Sequence, residues 1–213
     1  MNARKPSGTW GGRTAEQRRA ERRQRIIETA IDLWRESGWA AVSIRGICAR
    51  TGLNDRYFYE AFADRDALLV AAWHHVLEDM LGEVADAFAR MTEWPTSDAL
   101  RQAISTVVER ILKDPGRAQI LLIDHADNAA LHDLRGTTVL RAADFLIFTA
   151  RHRLDPDIDE DALRIDTFVA IAGFIELINA IWTGALQLTP DQIVDHVHRL
   201  GIRLAERYLP LNG

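Results

Sequence analysis

The chain has 213 residues, 47% of them hydrophobic, and a formal net charge of −5, which is enough apolar material for one or two domains with a real core. Its single cysteine, Cys48, excludes an internal disulfide, and no charged segment followed by a long apolar run opens the chain as a secretory signal would. The longest apolar stretch, Phe168 to Ile175, is far shorter than the roughly 20 residues of a membrane span. We therefore expect a soluble, cytoplasmic protein with no membrane partner.

Positive charge is concentrated near the start of the chain. Residues 1–65 contain 13 lysines and arginines against 8 aspartates and glutamates, a net charge of +5, whereas residues 66–213 contain 13 against 23, a net charge of −10. Concentrated positive charge is the electrostatic signature of phosphate binding, and an acidic remainder keeps the rest of the molecule away from DNA. A basic segment can also be a solvated arm, so charge alone leaves both interpretations open.

In chain order, residues 1–13 lack helical periodicity and are predicted to form a flexible basic arm. Thr14 and Gln17 have the spacing of a capping box, and apolar residues then recur at helical spacing, which predicts a first helix over residues 15–37. Gly38 stands where a left-handed C-terminal cap is expected.

Two short helices are predicted next, separated by a turn of a few residues. Ser43 can cap a second helix that runs to about Arg50, Gly52 permits a sharp turn, and Asn54 can cap a third helix. Asp64 is placed to cap a long fourth helix. Residues 14–65 are therefore predicted to form a three-helix domain.

The rest of the chain is predicted to be helical as well. Ser97 can cap a fifth helix, and Pro115 suits the first position of the next one. Further helices are predicted at residues 127–153, 160–186 and 190–208. No strand alternation of useful length appears, so we expect an all-α fold of about nine helices, with residues 66–213 forming the larger domain.

The second and third helices meet the requirements of a helix-turn-helix. This motif needs apolar residues that hold its two helices together, a small residue where they cross and a glycine in the turn. The packing residues are Ile44, Ile47, Leu53 and Phe58, the small residue is Cys48, and the turn glycine is Gly52. The run from Val42 to Leu69, VSIRGICARTGLNDRYFYEAFADRDALL, resembles the N-terminal signature of the tetracycline-repressor (TetR) family in order and spacing.

The resemblance implies a DNA-binding transcriptional regulator. It implies a repressor that is released from a pseudo-palindromic operator when a small ligand binds, and that forms a homodimer through its last two helices, about residues 160–208. It also makes residues 66–213 a ligand-binding and dimerisation domain. Candidate ligand contacts are Trp73, Met80, His125, Phe145, Phe148, His152 and Trp182. Their apolar bias indicates an apolar ligand, although each can instead be an ordinary core residue.

Eight residues are candidate DNA contacts: Ser43, Arg45, Asn54, Asp55, Arg56, Tyr57, Tyr59 and Arg65. Arg56 can donate two hydrogen bonds to guanine, while Asp55 can accept from cytosine or merely favour the positive N-terminus of its helix. Arg45 and Arg65 can bind phosphates or be solvated surface charges.

The tyrosines of the third helix offer a second kind of contact. The hydroxyls of Tyr57 and Tyr59 can reach phosphates while their rings pack on neighbours, and Tyr59 can alternatively be a core anchor. Asp55, Arg56 and Tyr57 stand where the resembled family commonly has a basic or polar residue, glycine and threonine. Because of this departure, the family resemblance does not predict the operator sequence.

An enzyme or a metal protein is the rival class. His74 and Glu78 are four residues apart, and His196 lies near His198, but neither pair completes a site. The sequence has no glycine-rich phosphate loop, nucleophile elbow or HExxH motif, so we predict no enzyme, no metal site and no cofactor. A third possibility is an α-helical adaptor or small-molecule-binding protein without specific DNA binding.

Overall fold

The structure is a computed structural model that describes residues 14–90, 94–122 and 128–208. Its helices in those ranges are α1 (Ala15–Ser37), α2 (Ile44–Thr51), α3 (Asp55–Ala61), α4 (Arg65–Arg90), α5 (Thr96–Lys113), α6 (Pro115–Leu122), α7 (Ala129–Ala150), α8 (Glu160–Trp182) and α9 (Pro190–Ala205). No strand occurs in the described ranges. The predicted all-α fold of about nine helices is therefore confirmed. The predicted arm, residues 1–13, lies outside the described residues.

The helices of the N-terminal region begin at the caps that the sequence predicts. Thr14 and Gln17 form a capping box, with the Thr14 hydroxyl accepting from the Gln17 backbone N–H at 3.1 Å. Ser43, Asn54 and Asp64 each accept from the backbone N–H three residues further on, at 3.1, 3.3 and 2.7 Å respectively. These bonds satisfy N–H groups that the first turn of a helix otherwise leaves unpaired, so they fix where each helix starts.

Some of the predicted helix ends are wrong. Ser97 does not cap α5, because the helix begins at Thr96 and Ser97 lies inside its first turn. α8 ends at Trp182, four residues before the predicted end, because Gly184 turns the chain out of the helix with a φ of 76°. The predicted ranges 127–153 and 190–208 are each a few residues longer than α7 and α9.

Packing divides the chain into two compact units, residues 1–75 and 76–213, and the division falls inside α4. The first unit contains α1, α2, α3 and the first part of α4, and the second contains the remaining helices. The domain limits of 14–65 and 66–213 follow the sequence motif and not the packing, and they stay a prediction.

The first unit is a small bundle in which α1, α2 and α3 all contact one another. Phe58 and Ile47 are fully buried, and the Phe58 ring lies 5.9 Å from the Phe62 ring, which is 5% exposed. Trp34 closes the apolar face of α1 at 5% exposure. Phe58 is a core residue, as the sequence predicts, and its burial with Phe62 gives two short helices a core that they could not form alone.

The second unit is built from two pairs of helices, α7 with α8 and α5 with α9. A Cβ atom at Gly201 of α9 would lie 3.0 Å from a methyl group of Leu100 of α5, so a side chain there would require the Leu100 side chain to move. Beyond α9, the buried Tyr208 donates its hydroxyl to Asp166 of α8 at 2.5 Å. The Asp155 backbone N–H in turn donates to the Tyr208 carbonyl at 3.1 Å. The chain after α9 is thus attached to α8.

One helix of the described part of the chain, α8, is long and apolar enough to cross a membrane by length and composition alone. This is weak evidence for a span, because the core helix of a soluble protein passes the same test. Only 11% of its apolar window is fully buried inside the structure, and Ile165 and Val169 are its exposed large apolar residues.

Candidate nucleic-acid interface

The turn between α2 and α3 places α3 at the surface of the first unit. Gly52 occupies the left-handed region (φ 70°, ψ 14°) and its N–H donates to the Cys48 carbonyl at 3.0 Å. The Thr51 hydroxyl donates to the Ile47 carbonyl at 2.8 Å and accepts from the Leu53 N–H at 3.3 Å. A residue with a side chain is strained at such a φ, so this turn depends on glycine.

α3 buries one phenylalanine side chain and exposes its charged and tyrosine side chains. Phe58 is 0% exposed, whereas Tyr59 is 59% and Tyr57 36% exposed, and the Arg56 side chain is 82% exposed. Asp55 is exposed as well. The structure therefore brings four of the predicted DNA contacts, Asp55, Arg56, Tyr57 and Tyr59, together on one short exposed helix.

A network of charged and aromatic side chains holds this face. Arg56 donates from Nε to Glu60 Oε1 at 3.1 Å, and Arg22 of α1 lies 4.0 Å from Glu60 Oε2. The Arg22 guanidinium also lies over the Tyr57 ring, 4.8 Å from its centroid, which is a cation–π geometry. Sequence reasoning missed Glu60, although its position four residues after Arg56 predicts an ion pair on a helix.

Arg65 has a role that the sequence did not predict. Its Nε and Nη2 donate to the carbonyls of Val42 and Trp39, both at 2.5 Å, and its guanidinium lies 5.1 Å from the Trp39 ring centroid. The side chain thus holds the connection between α1 and α2 against the start of α4. Because these contacts occupy two of its donors, Arg65 is structural in this state, and its contact with phosphate stays a prediction.

The remaining predicted contacts differ in what they do. Ser43 and Asn54 are helix caps, so their side-chain oxygens are already bonded to backbone N–H groups. Arg45 is exposed on α2. Cys48 is half-buried beside the start of α3, and burial, together with a hydrogen bond to Asp55 and its negative charge, raises the pKa of the Cys48 thiol. A raised pKa keeps the thiol protonated and unreactive at neutral pH.

The predicted ligand contacts differ in how exposed they are, and their role stays a prediction. Trp73 is fully buried in the first unit, whereas the others belong to the second. Phe148 is 75% exposed, His152 is exposed and His125 lies outside the described residues. Met80, Phe145 and Trp182 are partly buried.

Two hollows occur in the second unit. The smaller, about 10 Å³, lies between α4, α5 and α6 and includes Met80 and Arg117, whose Nε is buried without a hydrogen-bond partner. The larger is an open groove of about 330 Å³ between α7 and α8, and none of the predicted ligand contacts lines it. Within the described ranges, no group of three or more histidine, cysteine or acidic side chains could hold a metal ion.

Comparison with known proteins agrees with this geometry. The N-terminal domain of the family described as bacterial regulatory proteins, tetR family, matches residues 26–72. The uncharacterized HTH-type transcriptional regulator YerO of Bacillus subtilis (strain 168) is 27% identical over 89 residues, which are 42% of this chain and 31% of that protein. The chain thus aligns with less than a third of the length of this curated relative.

Solved structures share the fold over most of the chain. A transcriptional regulator from Rhodococcus sp. Rha1 has a TM-score of 0.63 at 16% identity, covering 87% of this chain and 97% of that one. A TetR family transcription regulator from Marinobacter aquaeolei VT8 has 0.53 at 16%, covering 91% and 98%. The multidrug binding protein EbrR, complexed with imidazole, has 0.63 at 20%, covering 92% and 96%.

These observations define a class of protein, a helix-turn-helix regulator in which a larger helical unit follows the DNA-binding one. Residues 26–72 are similar to the DNA-binding region of tetR-family transcriptional regulators, and the fold of the chain is similar to theirs. The matched family and the fold are those of transcriptional regulators, which are generally not enzymes.

Proposed function

We propose that this protein is a cytoplasmic repressor that binds a pseudo-palindromic operator as a homodimer and leaves it when a small apolar ligand binds its second unit. The exposed face of α3, with Arg56, Tyr57 and Tyr59, is the observation that carries the proposal. An α-helix fits the major groove, where a guanidinium can read guanine and tyrosine hydroxyls can reach the flanking phosphates.

Electrostatics supports DNA as the partner of this face. The net charge of +5 over residues 1–65 contrasts with −10 over the rest of the chain, so the field attracts a polyanion to the N-terminal region. Arg45 is exposed on α2, the helix that precedes α3, and would contact the DNA backbone. Asp55 and Glu60 add negative charge there, which disfavours indiscriminate binding to phosphates.

The dimer follows from the operator geometry. A single α3 of seven residues reads only a few base pairs, so a specific site of useful length needs two copies related by a two-fold axis. The uncovered apolar surface of α8 gives such a dimer an interface.

The support for control by a ligand comes from a protein of similar fold and from the residue types of the predicted contacts. EbrR, which shares the fold, is described as a multidrug binding protein. The apolar bias of the predicted contacts favours an apolar ligand here, and binding would favour a spacing of the two α3 helices unsuited to DNA.

The experiment is a selection of genomic DNA fragments on the purified protein, followed by titration of a selected fragment and of an unrelated duplex of equal length. Arg56→Ala should weaken binding to the selected fragment by about 1–3 kcal/mol, the usual cost of losing one bidentate base contact. Arg203→Ala, which removes an exposed arginine from α9, is the matched control and should have no effect.

Two results would contradict the proposal. If no fragment is enriched, the protein is an adaptor or a small-molecule-binding protein without specific DNA binding. If Arg56→Ala and Arg203→Ala bind the selected fragment equally well, α3 is not the reading helix. Release of the bound fragment by apolar small molecules, screened in the same titration, tests the ligand.

A further inference from the structure

The burial of Phe58 fixes where the other side chains of α3 point. Phe58 is 0% exposed, so it faces the bundle of the first unit. Successive residues of an α-helix lie about 100° apart around its axis. Arg56 and Glu60, two residues before and two after Phe58, therefore point away from the bundle, within about 40° of each other. Tyr57 and Tyr59 lie about 100° from Phe58 on opposite flanks of the helix.

In the proposed complex with DNA, these directions decide which side chains meet the bases. The outer side of a helix in the major groove faces the base edges, and its flanks face the phosphates of the two strands. Arg56 and Glu60 then face the bases. Tyr57 and Tyr59 each face the phosphates of one strand. A carboxylate in this place repels the phosphates around it, so Glu60 weakens binding unless it improves the reading of the bases.

Glu60 holds one edge of the Arg56 guanidinium and leaves the other edge open. Arg56 Nε donates to Glu60 Oε1 at 3.1 Å. A guanidinium has five N–H groups in a planar fork, so a bond through Nε leaves the four N–H groups of Nη1 and Nη2. Two N–H groups of that end match the O6 and N7 acceptors of guanine. The Arg56 side chain is 82% exposed, so this end is accessible to a base.

Glu60 is itself held in place from α1. Its side chain is 27% exposed, and its Oε2 atom lies 4.0 Å from Nη2 of Arg22. The Arg22 guanidinium stacks over the Tyr57 ring, 4.8 Å from the centroid, which limits how far Arg22 can move. An arginine that such neighbours already fix loses less conformational entropy on binding than an arginine that is free in water. These contacts therefore prepare Arg56 for a base contact before DNA arrives.

We propose that Glu60 is a positioning residue that holds Arg56 in the conformation that reads guanine. The inference rests on the proposed function and names a residue on which its base specificity depends. Glu60 acts through Arg56 and needs no base contact of its own. Its effect depends on the duplex, because the gain requires a guanine opposite Arg56 and the repulsion does not. Glu60 thus strengthens binding to a site that has this guanine and weakens binding to other DNA.

The alternative is that Glu60 acts only as a negative charge. Repulsion between a carboxylate and phosphates does not depend on base sequence, so it lowers the affinity for every duplex by a similar factor. On an unrelated duplex, the two roles predict the same result when Glu60 is removed, which is a gain in affinity. On a specific site they predict opposite results, because only the positioning role predicts a loss of affinity there.

Titration of the selected genomic fragment and of an unrelated duplex separates these roles. Glu60→Ala should lower the affinity for the selected fragment by about tenfold and raise the affinity for the unrelated duplex by about threefold. Glu60→Gln, whose amide oxygen still accepts from Nε, should lose less of the specific affinity. Glu109→Ala, at an exposed glutamate of α5, is the matched control and should change neither affinity. An equal rise in both affinities for Glu60→Ala would overturn the inference.

A double-mutant cycle tests whether Glu60 acts through Arg56. In an Arg56→Ala background, Glu60→Ala should raise the affinity for the selected fragment by about threefold, because only the repulsion remains to be removed. A further loss of affinity in that background would show that Glu60 acts independently of Arg56, and it would overturn the inference.

Selection from random DNA sequences measures the base preference itself. Arg56→Ala and Glu60→Ala should lose the preference for guanine at the same position of each half-site and keep the preferences elsewhere. An unchanged guanine preference in Glu60→Ala, or a wild-type site without such a guanine, overturns the inference and leaves the proposed function standing. A wild-type chain that enriches no sequence overturns both.

Discussion

The two surfaces that this protein exposes are built from opposite materials. On the first unit, the side chains of α3 are charged and aromatic, and Glu60 and Arg22 hold them in place. On the second unit, α7 and α8 have exposed apolar side chains, and Ile165 and Val169 are more than half exposed among the described residues.

The difference shows what each surface can bind. Polar groups that bond to each other in the free protein can exchange those bonds for bonds to a solvated, charged partner such as DNA. Apolar groups gain free energy only when water leaves them, which requires a partner that is equally apolar. The proposed function needs both, because reading a palindrome would require two copies held in one register.

The largest expected effect is a loss of stability, and it compares a buried phenylalanine of the first unit with an exposed phenylalanine of the second. Phe58→Ala should destabilise the first unit by about 3–5 kcal/mol, because it empties a fully buried site under α3. Phe148→Ala, at a phenylalanine that is 75% exposed, should change the free energy of unfolding by less than about 0.5 kcal/mol. Urea denaturation followed by circular dichroism measures both. Similar losses in the two variants would mean that Phe58 does not anchor the first unit.

Arg65 distinguishes a structural from a DNA-binding arginine. Arg65→Ala should cost about 2–3 kcal/mol of stability, because two carbonyls lose a charged donor and Trp39 loses its stacked guanidinium. Arg65→Lys keeps the charge but not the planar fork, so it should recover only part of that loss. If the Ala variant is as stable as wild type and its salt dependence of DNA binding falls by about one phosphate, Arg65 is a phosphate ligand instead.

Glu60 is expected to restrain the reading face. Glu60→Gln should tighten binding to an unrelated duplex by about threefold, since it removes a negative charge beside the phosphates, where a unit charge counts for roughly 1 kcal/mol in water. Stability should change by less than about 0.5 kcal/mol, because the ion pair is surface-exposed. Glu109→Gln on α5 is the matched control. Unchanged affinity for the unrelated duplex in the Glu60 variant would show that Glu60 does not restrain Arg56 and Arg22.

The smallest effect concerns the contact between α1 and α2. Arg50 donates two hydrogen bonds of 2.9 Å to the Glu36 carboxylate, and they lower the pKa of Glu36 from its ordinary value of 4.5. A lowered pKa means that the pair contributes to stability above pH 4.5 and loses that contribution as the pH falls through the pKa in the folded state. In Arg50→Gln, NMR titration should return the Glu36 pKa towards 4.5. An unchanged pKa would show that Arg50 is not its cause.

Much of the first unit could be predicted because local chemistry determines it. Ser43, Asn54 and Gly52 act on backbone groups within a few residues, so their roles can be read from neighbouring sequence. The hydrogen bonds of Arg65 to two carbonyls could not be predicted, because Val42 and Trp39 lie more than twenty residues earlier in the chain. Its charge suggested phosphate, and only the tertiary structure reveals the carbonyls.

The second unit was harder to predict for the same reason. Apolar periodicity predicted where its helices lie in the sequence, but the pairing of their apolar faces depends on three-dimensional packing. α8 and α9 are both apolar or amphipathic enough to dimerise, and the structure adds that one side of α9 packs on α5 within the chain. The predicted ligand contacts range from buried to exposed, because apolar character alone does not tell a cavity wall from a core residue or from an exposed side chain such as Phe148.

The most direct test of the central claim, that α3 reads a specific DNA site, is the ratio of affinities for a selected genomic fragment and an unrelated duplex of equal length at one salt concentration. The account predicts a ratio of at least about 1,000 for the wild type, typical of specific DNA-binding proteins, and a ratio lower by about tenfold or more for Arg56→Ala. Equal affinities of the wild type for the two duplexes would contradict it.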